Sequence, residues 1–192
     1  MSVAEDRRVK LTKKILKESL IEIMHTKSIN EISIKKVCEV ADINRSTFYH
    51  HYQSPQELYD EIIDDIALEI NGILEKSKGK NLTQSATITE LLTYVEDNRE
   101  LFLVILSEKG NISIGERLNK IIGRFIGANK NSELARYCAQ FISAGVANIL
   151  WIWLNNETRL PPKDVAGLIT TIMNHGVRRA VMFSTGGQEL FM

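Results

Sequence analysis

Residues 33–58 read SIKKVCEVADINRSTFYHHYQSPQEL, and this stretch decides the fold. Ser33 precedes a short helical run over 34–41, which Asp42 and Ile43 interrupt. Asn44, a residue type favoured just before a helix, then opens a second short helix predicted over 45–52. Ser54, Pro55 and Glu57 supply an N-cap, a proline at the first helical position and a carboxylate three residues after the serine. Together they form a capping box for a third helix, which carries Leu58, Ile62, Ile66, Ile70 and Ile73 on one face to about residue 77. Two short helices joined by a tight turn cross steeply and need small side chains at the crossing. Cys38 and Ala41 supply them, Ile43 plugs the turn, and Phe48 and Tyr52 anchor the second helix inward. Arg45, Ser46, Thr47, Tyr49 and His50 then face outward, with His51 at the flank.

That arrangement is a helix-turn-helix, a motif whose second helix lies in a DNA major groove. The adjacent histidines invite other readings. A shared metal fails on geometry, because successive helical residues point about 100° apart and Cys38 lies on another helix. If one of the two is a plain surface residue, His50 is the better candidate, and Tyr52 reads as core because it shares a face with Phe48.

Outward from this stretch the chain is helical almost throughout. Leu16, Leu20, Ile23 and Met24 form the apolar face of a first helix over about 6–26, ending near His25. The polar connector KSKGKNLTQS, residues 76–85, precedes helices expected near 86–98, 99–107, 114–127, 131–155 and 163–183. The 131–155 segment is apolar around most of its circumference, so it is buried on several sides or shared with a second chain. The final one has a broad stripe from Val165 to Val181. The expected fold class is all-α with about nine helices. Residues 1–53 form a helix-turn-helix domain, 54–77 a connecting helix, and 78–192 a helical ligand-binding and dimerisation domain.

The 192 residues, with 24 Lys+Arg and 24 Asp+Glu, have no net charge. Residues 1–53 nevertheless hold three more Lys/Arg than Asp/Glu, so a polyanion would meet the N-terminal part. No apolar run of about 18 residues and no secretory signal pattern is visible. Two distant cysteines, Cys38 and Cys138, suit a reducing cytoplasm better than a disulfide or zinc site. Neither a cofactor loop nor a metalloprotease, P-loop or nucleophile-elbow motif is present, so the expectation is a non-enzyme without cofactor or metal.

Residues 10–66 resemble the N-terminal domain of the TetR family of bacterial transcriptional regulators. The family's aromatic core stands here as Ser46, Thr47, Phe48, Tyr49, His51 and Tyr52, with matching spacing to Glu57 and Leu58. The rest resembles the family's helical C-terminal domain by length and helix count, and LLTYVEDNRELFLVILSEKG is similar to a sub-group common in Gram-positive bacteria. The resemblance implies DNA contact by Ser33, Lys35, Lys36, Asn44, Arg45, Ser46, Thr47, Tyr49, His50 and His51, with Arg45 as the base reader. Arg suits that role, since its two donors match guanine O6 and N7. It further implies a homodimer through helices 131–155 and 163–183, repression of transcription, and release from a near-palindromic operator by a small-molecule effector. Tyr94, Arg99, Tyr137, Phe141 and Trp151 are the candidate effector contacts, and Trp153 reads as either pocket or core.

Two departures stand out. Asp42 occupies the turn position commonly glycine, and Gln53 and Pro55 replace lysines that commonly hold phosphate. Those replacements imply a shallower salt dependence of DNA binding and keep open a second reading, a helical adaptor that binds protein.

Overall fold

The computed structural model describes residues 3–107 and 133–177. Among them every regular element is helical: α1 Val3–Met24, a 3₁₀ turn Ile29–Glu31, α2 Ile34–Ala41, α3 Arg45–His51, α4 Pro55–Gly79, α5 Gln84–Asp97, α6 Arg99–Ser107, α7 Glu133–Asn155 and α8 Pro162–Ile172. A π-helical turn, Met173–Val177, continues α8 where a straight α-helix was expected. The all-α expectation holds, with eight α-helices among the described residues. The helix expected at 114–127 and the 178–183 end of the last one lie outside them.

The chain forms two compact units, residues 1–69 and 70–192, divided within α4. In the first unit the apolar stripe of α1 is buried as its spacing predicts, with Leu16 and Leu20 fully so. Val37 and Cys38 of α2, Phe48 of α3, and Leu58, Tyr59, Ile62 and Ile66 of α4 are buried in the same unit. Each such side chain removed from water stabilises the fold by roughly 1.5–3 kcal/mol before ordering costs.

Local chemistry sets the helix ends. Ser54 Oγ accepts from the Glu57 N–H at 3.1 Å, as the capping box requires. The Glu57 carboxylate, however, accepts from the N–H of Gln53, at 2.6 Å, one residue before the expected partner. The box therefore ties α4 back to the segment that leaves α3. A similar closure at the 3₁₀ turn, with the Ser28 N–H donating to Glu31 at 3.1 Å, was not anticipated.

In the second unit α5 packs along α8, and α6 packs against α7. Ile88, Leu92 and Val95 of α5 are buried, as are Val165, Ala166 and Ile169 of α8. The carbonyl end of α7 is held from α6: Arg99 Nε–H donates to the Leu154 oxygen at 2.9 Å. Asn81, at φ 52°, turns the chain out of α4, and Thr83 Oγ1 accepts from the Ala86 N–H at 3.3 Å to start α5. By length and composition alone, residues 136–155 of α7 could cross a membrane. One face of that helix is instead committed to its own unit through the buried Ile142, Leu150, Trp153 and Leu154.

Candidate nucleic-acid interface

The site is built where α2 and α3 meet. Ser33 Oγ accepts from the Lys36 N–H at 3.2 Å and so fixes the start of α2. The hydroxyl proton of Ser33 remains available to an external acceptor. Lys35 and Lys36 follow on the exposed surface, Lys35 within 3.7 Å of Glu39, a contact too solvated to hold its ammonium in place.

Asp42 ends α2 in the left-handed conformation, φ 51° and ψ 46°, which aspartate adopts less readily than glycine but more readily than most residues. The Ile43 N–H donates to the Cys38 oxygen at 3.0 Å and closes the turn. Asn44 stands at the N-cap of α3 in extended geometry, but its side chain makes no cap hydrogen bond. This corrects the expected side-chain cap: only the Asn44 carbonyl serves α3, accepting from Phe48 at 3.1 Å, while the amide stays on the exposed surface.

α3 presents two chemically different faces. Phe48 is fully buried and Tyr52, just past the helix end, is nearly so, their ring centroids 5.9 Å apart. Arg45, Ser46, Tyr49 and His50 are exposed, and Thr47 and His51 are half-buried at the edge. Tyr49 is 60 % exposed, yet its ring stands edge-on to Phe48 at 6.2 Å, so a core residue fixes the position of an exposed phenol. All ten residues that the resemblance implies for DNA contact lie on α3, its cap or the start of α2, and each reaches the surface.

Beneath this surface lies an ionic layer that sequence reasoning missed. Lys13 Nζ stands 2.9 Å from Glu61 and 5.3 Å from the centre of the Tyr52 ring. Lys17 bridges Glu61 at 2.7 Å and Asp65 at 2.5 Å. Burial works against the charge on Lys17, but Asp65 and Glu61 outweigh it and hold the ammonium above its ordinary pKa. Glu61, likewise opposed by burial, is held below the carboxylate range by Lys17 and Lys13. Burial and the Glu61 charge push the Tyr52 phenol well up, so it stays neutral. Burial, His50 and Lys13 lower the His51 pKa against the opposing pull of Glu61. His51 is therefore neutral at pH 7 and offers one donor and one acceptor. Its ring stands 5.2 Å from that of His50. Burial raises the Cys38 thiol, with Arg45 opposing, so Cys38 is an inert core residue. No local signal could reveal this layer, because Lys13 and Glu61 are 48 residues apart.

The candidate effector residues occupy different settings. Tyr94 is half-buried, edge-on to Phe102 at 5.8 Å. Arg99, besides its bond to Leu154, donates to Glu100 at 2.6 Å. Tyr137 is exposed and donates to Glu133 at 2.7 Å, and Phe141 is 75 % exposed. Tyr137 and Trp151 lie about 21 Å apart along α7, so they do not flank one small ligand. Trp153 is core, its Nε1–H satisfied by the Leu160 oxygen at 2.8 Å. Tyr137, Phe141, Ala144, Asn148 and Ile152 form one exposed stripe on α7, and Leu168 and Ile172 form another on α8. The broad stripe of the last helix is thus divided, Val165, Ile169 and Met173 turned inward and Leu168 and Ile172 outward.

The chain is similar to known proteins in sequence and in fold. Residues 82–175 match the TetR_C_8 family, described as a transcriptional regulator C-terminal region. The HTH-type dhaKLM operon transcriptional activator DhaS of Lactococcus lactis subsp. lactis (strain IL1403) is 28 % identical over 90 residues, 46 % of each chain. The alignment therefore spans about half the length of that relative. Among solved structures, a TetR transcriptional regulator from Streptococcus agalactiae 2603V superposes with a TM-score of 0.66 at 19 % identity, over 90 % of this chain and 98 % of that one. A transcriptional regulator from Aquifex aeolicus VF5 does so at 0.64 and 21 % identity, over 84 % and 99 %.

Proposed function

Because this chain belongs to the TetR family of transcriptional regulators, we propose that it binds a near-palindromic operator as a homodimer through α3 and the start of α2, and that a small molecule alters that binding. The observation that carries the reading is the division of α3, with Phe48 and Tyr52 locked in the core and a contiguous surface of Arg45, Ser46, Thr47, Tyr49, His50 and His51 outside. Hydroxyl and imidazole groups suit phosphate oxygens, which position a protein on the duplex. Arg45 suits guanine, a pairing worth roughly 1–3 kcal/mol of discrimination.

Dimerisation is supported by the outward apolar stripes of α7 and α8, Tyr137, Phe141 and Ile152 with Leu168 and Ile172. Packed as a four-helix bundle, they would bury side chains now left to water. Two-fold symmetry would set the α3 helices about 34–36 Å apart, one turn of DNA, or at a related spacing. On this reading Tyr137, Phe141 and Trp151 serve the partner chain or its edge, while Tyr94 and Arg99 stay with the effector. The effector must favour one arrangement of the dimer, with a coupling of about 1–3 kcal/mol.

The test is the double variant Arg45→Ala, Tyr49→Ala. It should lose specific operator binding in fluorescence anisotropy while keeping the wild-type mass in sedimentation; retained specific binding sinks the assignment. A reporter placed behind the operator decides the direction of control. The resemblance points to repression, whereas the DhaS relative is named an activator.

A further inference from the structure

α3 ends on two adjacent imidazoles, His50 and His51, whose rings stand 5.2 Å apart. His50 is exposed and His51 half-buried at the edge of the same outer surface. Among the described residues neither ring has a hydrogen-bond or ion-pair partner. The carboxylates at this end of the helix are already engaged. Glu61 gives one oxygen to Lys13 at 2.9 Å and the other to Lys17 at 2.7 Å. Asp65 is held by Lys17, and the Glu57 carboxylate accepts from the Gln53 N–H at 2.6 Å.

The charges that face His51 are thus Lys13 from α1 and Glu61 from α4, with His50 beside it on α3 and the neutral Tyr52 ring 6.3 Å away. Burial, then His50 and Lys13, disfavour a proton on His51, and Glu61 only partly offsets them. A proton on one imidazole opposes a proton on its neighbour at this separation, so the two titrate as a pair. A duplex changes that balance. With α3 in the major groove, the polar groups at its edges approach the phosphate backbone. A backbone phosphate stays anionic throughout the range in which imidazole titrates, and an opposite charge within about 4–6 Å favours the protonated ring.

We propose that DNA binding is coupled to protonation of the His50–His51 pair, each protomer taking up about one proton as a backbone phosphate supplies the counter-ion that Glu61 does not. This rests on the regulator reading above and adds a condition to it: pH sets operator affinity near neutrality. Binding raises the proton affinity of the pair, which fixes the sign. The added affinity is fully present below the titration of the free pair and is lost as pH rises through that of the bound pair. At its steepest, one proton per protomer weakens a dimer's binding by up to about a hundredfold per pH unit. Other groups are poorly placed to imitate this. The chain has four histidines, of which His25 follows α1 and His175 lies in the π-helical turn of the second unit. Burial pushes the Cys38 thiol up, away from neutrality.

Calorimetric titration of the full chain with its selected duplex, at about pH 6.8 in buffers of low and high ionisation enthalpy, counts the protons taken up. Wild type should take up about one per protomer, the control His25→Gln the same, and His50→Gln/His51→Gln none. Between about pH 8 and pH 6 the slope of log K against log salt should steepen by about 0.9 per protomer in the wild type and stay constant in the double variant. Two of the four histidine Cε1–H resonances of the wild type should move to their protonated positions when duplex is added at about pH 7. Unmoved resonances, no proton uptake by the wild type, uptake lost in His25→Gln or uptake retained in the double variant overturns the proposal while the regulator reading stands. A folded wild type that binds no duplex at any pH overturns both.

Discussion

α3 and α7 are both two-faced helices, but their outer faces differ in kind. α3 turns aromatic rings inward and shows water an arginine, hydroxyls and imidazoles. α7 buries Leu150, Trp153 and Leu154 and shows water Tyr137, Phe141 and Ile152. A polar outer face can stay solvated and bind anions transiently, whereas a long apolar one loses free energy until another apolar surface covers it. The contrast separates a surface suited to a reversible polyanion from one suited to a lasting protein partner.

The contrast breaks most completely if the inward face of α3 is removed. Phe48→Ala should destabilise the first unit by about 3–5 kcal/mol, seen as an early loss of helical circular dichroism. Next in size, Phe141→Asp with Ile152→Asp should convert the proposed dimer to a monomer in sedimentation. Both residues are exposed within one chain, so the monomer should keep its helical content. A dimer that survives the pair would move the partner surface away from α7.

Smaller changes sharpen the polar side. Asp42→Gly relieves a left-handed non-glycine residue and should raise stability by about 0.5–1 kcal/mol in denaturant melts. A fall would mean that the Asp42 carboxylate does something beyond tolerating the turn. The smallest expected effect is in acid. Glu61 has its pKa depressed in the fold, so its contribution is present above the unfolded carboxylate pKa and lost as pH falls through the folded value. His51, also depressed, adds a loss of the same sign that sets in as pH falls below about 6.5, its ordinary value. Glu61→Gln should flatten the more acidic limb of a melting-temperature profile, and His51→Gln the shallower limb nearer neutrality.

What the sequence revealed follows from the range of the forces involved. Helix starts at Ser33 and Ser54, the break at Asp42, and the burial of Phe48 depend on neighbours within a few residues, so spacing exposes them. The exposed positions of α3 were legible for the same reason, since fixing two inward rings fixes the outward positions of a two-turn helix. Asn44 misled because a favoured cap residue does not have to cap. The Lys13–Glu61–Lys17–Asp65 layer joins residues 44 to 48 apart, and only the fold brings them together. On α7 and α8 the apolar content was readable, but how it divides between core and exposed stripe depends on where α5 and α6 lie.

The central claim, that the outer face of α3 reads operator DNA, is tested most directly by selection from random duplexes followed by sequencing of the bound fraction. The account predicts an enriched near-palindrome with half-sites about one helical turn apart, or at a related spacing, that disappears with Arg45→Ala, Tyr49→Ala. A folded, dimeric wild type that enriches no sequence would contradict it and favour an adaptor of the same fold.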